Sequence, residues 1–286
     1  MGRIPEIALV LVIALFAMAG VSYGLDIDKL SADDIAGVKN LLVKLGPVIK
    51  ERQKEATLAT LSMEDLYNPL SDGEKKFLRS FLELDPKEVG VKIPYRGIAT
   101  GKEELVKITG QVIKVPPKER AKFPKDTREL PPVFIPPDVF KKYTSMMGAM
   151  ERDIGRRLYI ESGYRSSAYQ LYLFIFYLSN HDHSIRETAR WVALPGFSEH
   201  GSPAHQAVDF INADGVNGED NTSEFDSLQE YAWLAANAGR YGFTLSYPDT
   251  VNNNITYEPW HWRSDRKFHE TVLEAIRGLK HAFFPR

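Results

Sequence analysis

Three short segments concentrate side chains that can do chemistry together: Ser162-Gly163-Tyr164-Arg165-Ser166, the run from Ser198-Glu199-His200 to Asp209, and Glu258-Pro259-Trp260-His261-Trp262-Arg263. The chain has no cysteine, so any transition metal must rest on imidazole and carboxylate ligands, both of which zinc accepts. Asp209 stands among Val208, Phe210 and Ile211, which read as a buried strand. A carboxylate in such surroundings is costly unless a cation or hydrogen-bond donors satisfy it. A zinc ion does this; an aspartate capping a loop at the strand end is the alternative, and this segment alone leaves the two even.

Two histidines compete as the partner of Asp209. On a strand, residues 205, 207 and 209 share a face, which sets His205 roughly 13 Å from Asp209. Two ligands that each lie about 2 Å from one metal cannot be so far apart. Gly201, Ser202 and Pro203 can turn the chain back over the strand, so His200 is the expected ligand and His205 a surface residue or a neighbour of the ligands. Glu258 and His261 are three apart, a spacing that regular alternation sends to opposite faces. Pro259 between them favours a bulge or kink that aims both into one cavity. His261 then completes a three-ligand site with its fourth position open to water, and Glu258 stands to take that water's proton. Alone, Glu258 and His261 would read as polar residues of an edge strand between packing tryptophans; with the other two segments they read as a site. Arg165 supplies a guanidinium for the negative charge that amide hydrolysis develops on the carbonyl oxygen. A structural ion pair is its alternative.

The set SGYRS, SEH…AVD and EPWHWR resembles the three signatures of the VanY-type D-alanyl-D-alanine carboxypeptidases, zinc peptidases of the M15 family whose fold is shared with Hedgehog amino-terminal domains. The resemblance covers roughly residues 138–280. It implies His200, Asp209 and His261 as Zn²⁺ ligands, Glu258 as base and Arg165 as oxyanion stabiliser, with Ser198, Gln170 and Trp260 near the bound peptide. Eight residues separate His200 from Asp209, two more than is usual in the family. The implied activity is release of the terminal D-alanine from peptidoglycan stem peptides. The alternatives are an endopeptidase of the same fold and a non-catalytic, zinc-stabilised wall-binding module. Glu258 beside His261 favours an enzyme, because a structural site has no use for a base.

The elements that must position these residues follow from periodicity. Apolar spacing predicts helices over 31–60, with Ser31 as N-cap, and over 74–84; short strands and turns over 89–115; and a proline-rich linker or surface strap over 116–137. Further on it predicts a helix over 139–158 whose methionine stripe is plain core, a strand at 157–161 and an apolar helix at 166–178. A strand at 206–211, a helix at 223–238 capped by Gly239, strands at 243–246 and 257–263, and a closing helix over 265–282 complete the series. His181-Asp182-His183 reads as a polar loop. Residues 212–221 read as a turn-forming loop that does not match calcium-loop spacing. The fold class expected is α+β, a small antiparallel sheet with flanking helices plus a mainly helical amino-terminal region. The domains expected are 25–136 and a peptidase domain at 137–286.

Bulk properties set the outer limits. The chain has 286 residues, 43% hydrophobic and 26% charged, which argues against a disordered tail or a multi-span membrane protein. A net charge of -2 gives no electrostatic case for nucleic acid; the resemblance implies peptidoglycan peptides as the partners, and a monomer is expected. Residues 1–24 read as a cleaved secretory signal: Arg3, an apolar run at 7–21, then Ser22 and Gly24 before Leu25. The run is shorter than the roughly 20 residues that span a bilayer. An uncleaved anchor is the alternative, favoured by Pro5 and Glu6, and it alone would bring membrane contact. Either way the protein is expected to be exported, periplasmic or extracellular.

Overall fold

The computed structural model describes residues 24–91, 98–202, 205–249 and 256–265. The expected leader and the closing helix over 265–282 fall outside them, apart from residues 24 and 265. Among the described residues no helix is long and apolar enough to cross a membrane.

Helix α1, Ala32–Lys54, begins where the Ser31 hydroxyl accepts from the Asp34 amide; its buried stripe is Val38, Leu41, Leu45 and Ile49. Helices α2 (Met63–Tyr67) and α3 (Asp72–Ser80) each start with a serine–acid capping box, which satisfies two orphan amides reciprocally. The short α4, Pro86–Val89, follows. Strands β1 (Val106–Ile108), β2 (Val112–Lys114), β3 (Thr127–Glu129) and β4 (Val133–Ile135) pair antiparallel as β1–β4 and β2–β3. The proline-rich stretch is therefore not a bare strap, because two of its segments find strand partners upstream.

Helix α5 (Pro137–Ile154) opens on a proline and stops at Gly155, whose φ of 65° suits glycine. Then come β5 (Leu158–Ser162), α6 (Ser167–Tyr177), α7 (Ile185–Thr188) and β6 (His205–Asn212). Last are α8 (Thr222–Asp226), α9 (Gln229–Asn237), β7 (Phe243–Leu245) and β8 (His261–Asp265). The helix expected over 223–238 is thus two helices, broken around Ser227. The strand expected from 257 starts at His261, because residues 259–260 form a turn.

The main sheet has the order β5-β6-β8-β7, all antiparallel. Val208, Phe210 and Trp262 on one face join Met146, Met147 and Met150 of α5 and Leu234 of α9 in a single core. On the other face Ile211 packs with Ile113 and Leu130. A separate core joins α1–α4 to Leu171, Phe174 and Ile175 of α6, so packing runs across the expected boundary at 136. The architecture is α+β, with small antiparallel sheets and a helical amino-terminal region.

Candidate functional site

Cross-strand register builds the site. Asp209 on β6 lies opposite both Ser162 on β5 and His261 on β8, so these three residues form a row across the sheet. The β5 register shifts between Ile160 and Ser162, a bulge of the kind that re-aims side chains beside functional sites. His200 arrives from a 3₁₀ turn, Glu199–Gly201, that sits over β6. Its Nε2 lies 3.1 Å from Asp209 Oδ2, so the longer connection still brings the two side chains together. His261 Nδ1 lies 2.8 Å from Asp209 Oδ1. One ligand atom from each of His200, Asp209 and His261 lies within 4.8 Å of the others.

The outer ring nitrogens fix how these imidazoles face. His200 Nδ1 is 2.7 Å from the Gly163 carbonyl, which can only accept, so this nitrogen carries a proton and Nε2 is the ring nitrogen on the side of Asp209. His261 Nε2 is 3.0 Å from Glu199 Oε2, which leaves Nδ1 for Asp209. Backing each metal-facing nitrogen with an acceptor on the far side of the ring is the usual support of a metal-binding histidine. Burial works against the charge of Asp209, but His200 and His261 overcome it and hold its pKa well below the carboxylate range. Burial also opposes a charge on His261, yet its bonds to Asp209 and Glu199 prevail and raise its pKa to about 10. Burial dominates at His200 and lowers its pKa. Two neutral-capable imidazoles and one ionised carboxylate suit zinc.

Glu258 stands in the turn before β8. Its amide donates to the Tyr247 carbonyl, and the His261 amide donates back to the Glu258 carbonyl. Its Oε2 is 3.7 Å from His261 Nδ1. The expected kink is therefore a turn ahead of the strand, and strand alternation places no limit on Glu258. Burial pushes its pKa up to about 7; His261 opposes this, while Asp209, Glu199 and Glu219 reinforce it.

Arg165 is aimed by Gln170: its Nη1 donates to Gln170 Oε1 at 2.8 Å, and Gln170 Nε2 donates to the Ala193 carbonyl at 2.6 Å. Among the described residues no carboxylate pairs with Arg165 within 4.0 Å, so the structural ion pair is not its arrangement. Both ends of the buried Gln170 amide bond to protein, and through its Oε1 Gln170 holds Arg165. The loop carrying Arg165 is braced from the amino-terminal region. Ser166 N donates to the Ala59 carbonyl, Ser167 N to the Ala99 carbonyl, and the Tyr164 hydroxyl to Glu103.

Ser198, Trp260, Arg165, Glu258 and the three candidate ligands line one cleft of about 570 Å³. Gly218 makes room for the Trp260 indole, since a Cβ there would run into it. His205, half-buried on β6, is not in the ligand group. Asp182 of the 181–183 loop pairs with Lys29, as fits a polar loop. In the 212–221 turn, Asn212 Oδ1 accepts from two amides of its own loop. Glu199, Glu219 and Tyr247 also face the cleft, and sequence reasoning gave them no role. A second carboxylate immediately before His200 was the available signal for Glu199.

A mixed helix-and-sheet domain holding two backed imidazoles, a carboxylate and a half-buried glutamate in one cleft has the construction of a metallopeptidase. Residues 134–264 match the family model described as VanY, D-alanyl-D-alanine carboxypeptidase. A D-alanyl-D-alanine carboxypeptidase of Enterococcus faecalis (strain ATCC 700802 / V583) is 42% identical over 79 residues, 27% of this chain and 26% of that one. The bifunctional D-Ala-D-Ala dipeptidase and carboxypeptidase VanXYC of Enterococcus gallinarum is 29% identical over 150 residues, 50% of this chain and 73% of that protein. Among solved structures, a mutant of the vancomycin-resistance D,D-pentapeptidase VanY in complex with Zn(II) is 26% identical. It covers 46% of this chain and 72% of its own, with a TM-score of 0.37. The chain thus spans about a quarter of the length of the E. faecalis relative.

Proposed function

We propose that this protein is an exported, zinc-dependent D,D-carboxypeptidase that removes the terminal D-alanine of peptidoglycan stem peptides. The observation that carries the reading is the convergence of His200, Asp209 and His261 with Glu258, whose pKa near 7 suits it to take a proton and return it. Zinc held by those three side chains supplies Lewis-acid polarisation of the scissile carbonyl and makes water acidic enough to attack at neutral pH. Glu258 accepts the proton of the attacking water and delivers it to the leaving amine. Arg165, fixed by Gln170, faces the cleft and stabilises the negative charge that builds on the carbonyl oxygen. The walls of the cleft, with Ser198 buried and Trp260 partly buried, displace water from the reacting bond. Replacing Glu258→Gln is expected to lower turnover by at least about a hundredfold while the protein still binds one zinc. Turnover at the parent rate in that variant would refute the assignment.

A further inference from the structure

The cleft does not end at the metal site. It continues along α6, where Tyr169, Leu173 and Tyr177 line it at intervals of four residues, and so stand on one helix face. No residue of α6 is charged. A helix whose solvent side is aromatic rather than charged departs from the pattern of an ordinary surface helix. Beyond Tyr177 the cleft is walled by Asn180, His181 and Trp191. The Trp191 indole stacks on the His181 ring at 6.2 Å and 11°, yet remains 60% exposed.

Length and chemistry together suggest an occupant. From Tyr169 to Tyr177 the helix rises about 12 Å, the span of between three and four extended peptide residues. Arg165 marks the near end, its guanidinium 5.9 Å from the Tyr169 ring centre. In a carboxypeptidase the leaving part is a single residue, so the long arm must take the acyl side. A stem peptide cut at its last bond has four residues on that side, and the first of them is joined to an amino sugar. The arm therefore ends near the place where the sugar begins. There Trp191 offers a flat π face to the partly positive C–H bonds of a pyranose ring, and the Asn180 amide offers both donors and an acceptor to an N-acetyl group.

We infer that the platform of Trp191, His181 and Asn180 is a subsite for the N-acetylated amino sugar that carries the stem peptide, so the preferred substrate is a glycan-linked peptide. This rests on the proposed carboxypeptidase reading. The test compares a pentapeptide ending in D-Ala-D-Ala, acetylated at its amino end, with the same peptide on its disaccharide. With the parent protein the sugar-bearing substrate is expected to show a KM about tenfold lower. With Trp191→Ala the ratio of the two KM values is expected to collapse toward one, and Trp191→Phe to restore part of it. Equal KM values in the parent protein, or a Trp191→Ala variant that keeps the ratio, would overturn the inference. Calorimetric titration of both ligands into zinc-loaded Glu258→Gln protein reads the same preference without turnover. Tighter binding of the sugar-bearing ligand, lost in Glu258→Gln/Trp191→Ala, supports the subsite; equal affinities overturn it. Failure of the parent to cleave either peptide would instead refute the carboxypeptidase reading.

Discussion

Replacing Glu199 should weaken zinc binding while leaving the three ligands in place. The Glu199 carboxylate is 3% exposed, and its Oε2 sits 3.0 Å from His261 Nε2 while also accepting from the Ser246 hydroxyl. It therefore fixes the imidazole's orientation and turns its Nδ1 toward Asp209. Loss of such a partner typically costs 10–100-fold in metal affinity, or about 1.4–2.8 kcal/mol. Glu199→Gln keeps an acceptor and loses only the charge, so it belongs near the tenfold end. Glu199→Ala leaves the His261 N–H without an acceptor in a buried place and belongs near the hundredfold end. The same carboxylate also helps to hold the His261 proton, which competes with the metal. Part of the loss therefore cancels near neutral pH, and the gap between parent and variants widens as pH rises. Competition against a chromogenic chelator at pH 7 and pH 8.5 measures this directly. If both variants bind zinc as tightly as the parent at both pH values, the reasoning about His261 is wrong.

Other consequences can be measured as simply. His261 is held protonated up to about pH 10 in the metal-free site, so zinc binding at pH 7 should release about one proton. Its affinity should fall by about tenfold for each unit of acidification, which calorimetry in buffers of different ionisation heat will reveal. Burial pushes the pKa of Glu161, in the β5 bulge, up to about 7, while Asn217 opposes this and Asp209 adds to it. The fold thus favours its neutral form: the stability it contributes is fully present below the ordinary glutamate pKa and is lost as pH rises through 7. Glu161→Gln should therefore stabilise the metal-free protein at pH 8 by about 1–3 kcal/mol and have little effect at pH 4, as read by thermal melts. Gly218→Ala should displace the Trp260 indole, which lines the cleft, and raise KM several-fold, with a small change in melting temperature.

Asp209 and His261 were legible as candidate ligands only from the three segments taken together, since each segment alone left a bland reading open; strand register then places them opposite each other. His200 was legible by exclusion of His205, since strand geometry keeps residues 205 and 209 far apart. The position of Glu258 was legible only in part. Pro259 was read as a kink within a strand, whereas the chain turns first and pairs afterwards, because the Trp262 indole donates to the Pro259 carbonyl and closes the turn. Helix 223–238 failed as one unit because local apolar spacing cannot report the break around Ser227. The pairing of residues 127–135 with strands 13 to 29 residues upstream was hidden because three-residue strands carry almost no periodicity. Glu199 and Gln170 act through other side chains, and contacts of that kind appear only when distant segments meet.

The most direct test is to incubate the purified protein with a stem pentapeptide ending in D-Ala-D-Ala, with zinc and again after chelation, and to resolve the products by mass spectrometry. The account predicts loss of one alanine residue from the peptide, abolished by the chelator and restored by zinc. A protein that carries one zinc on His200, Asp209 and His261 yet leaves the peptide intact, or cuts it internally, would contradict it.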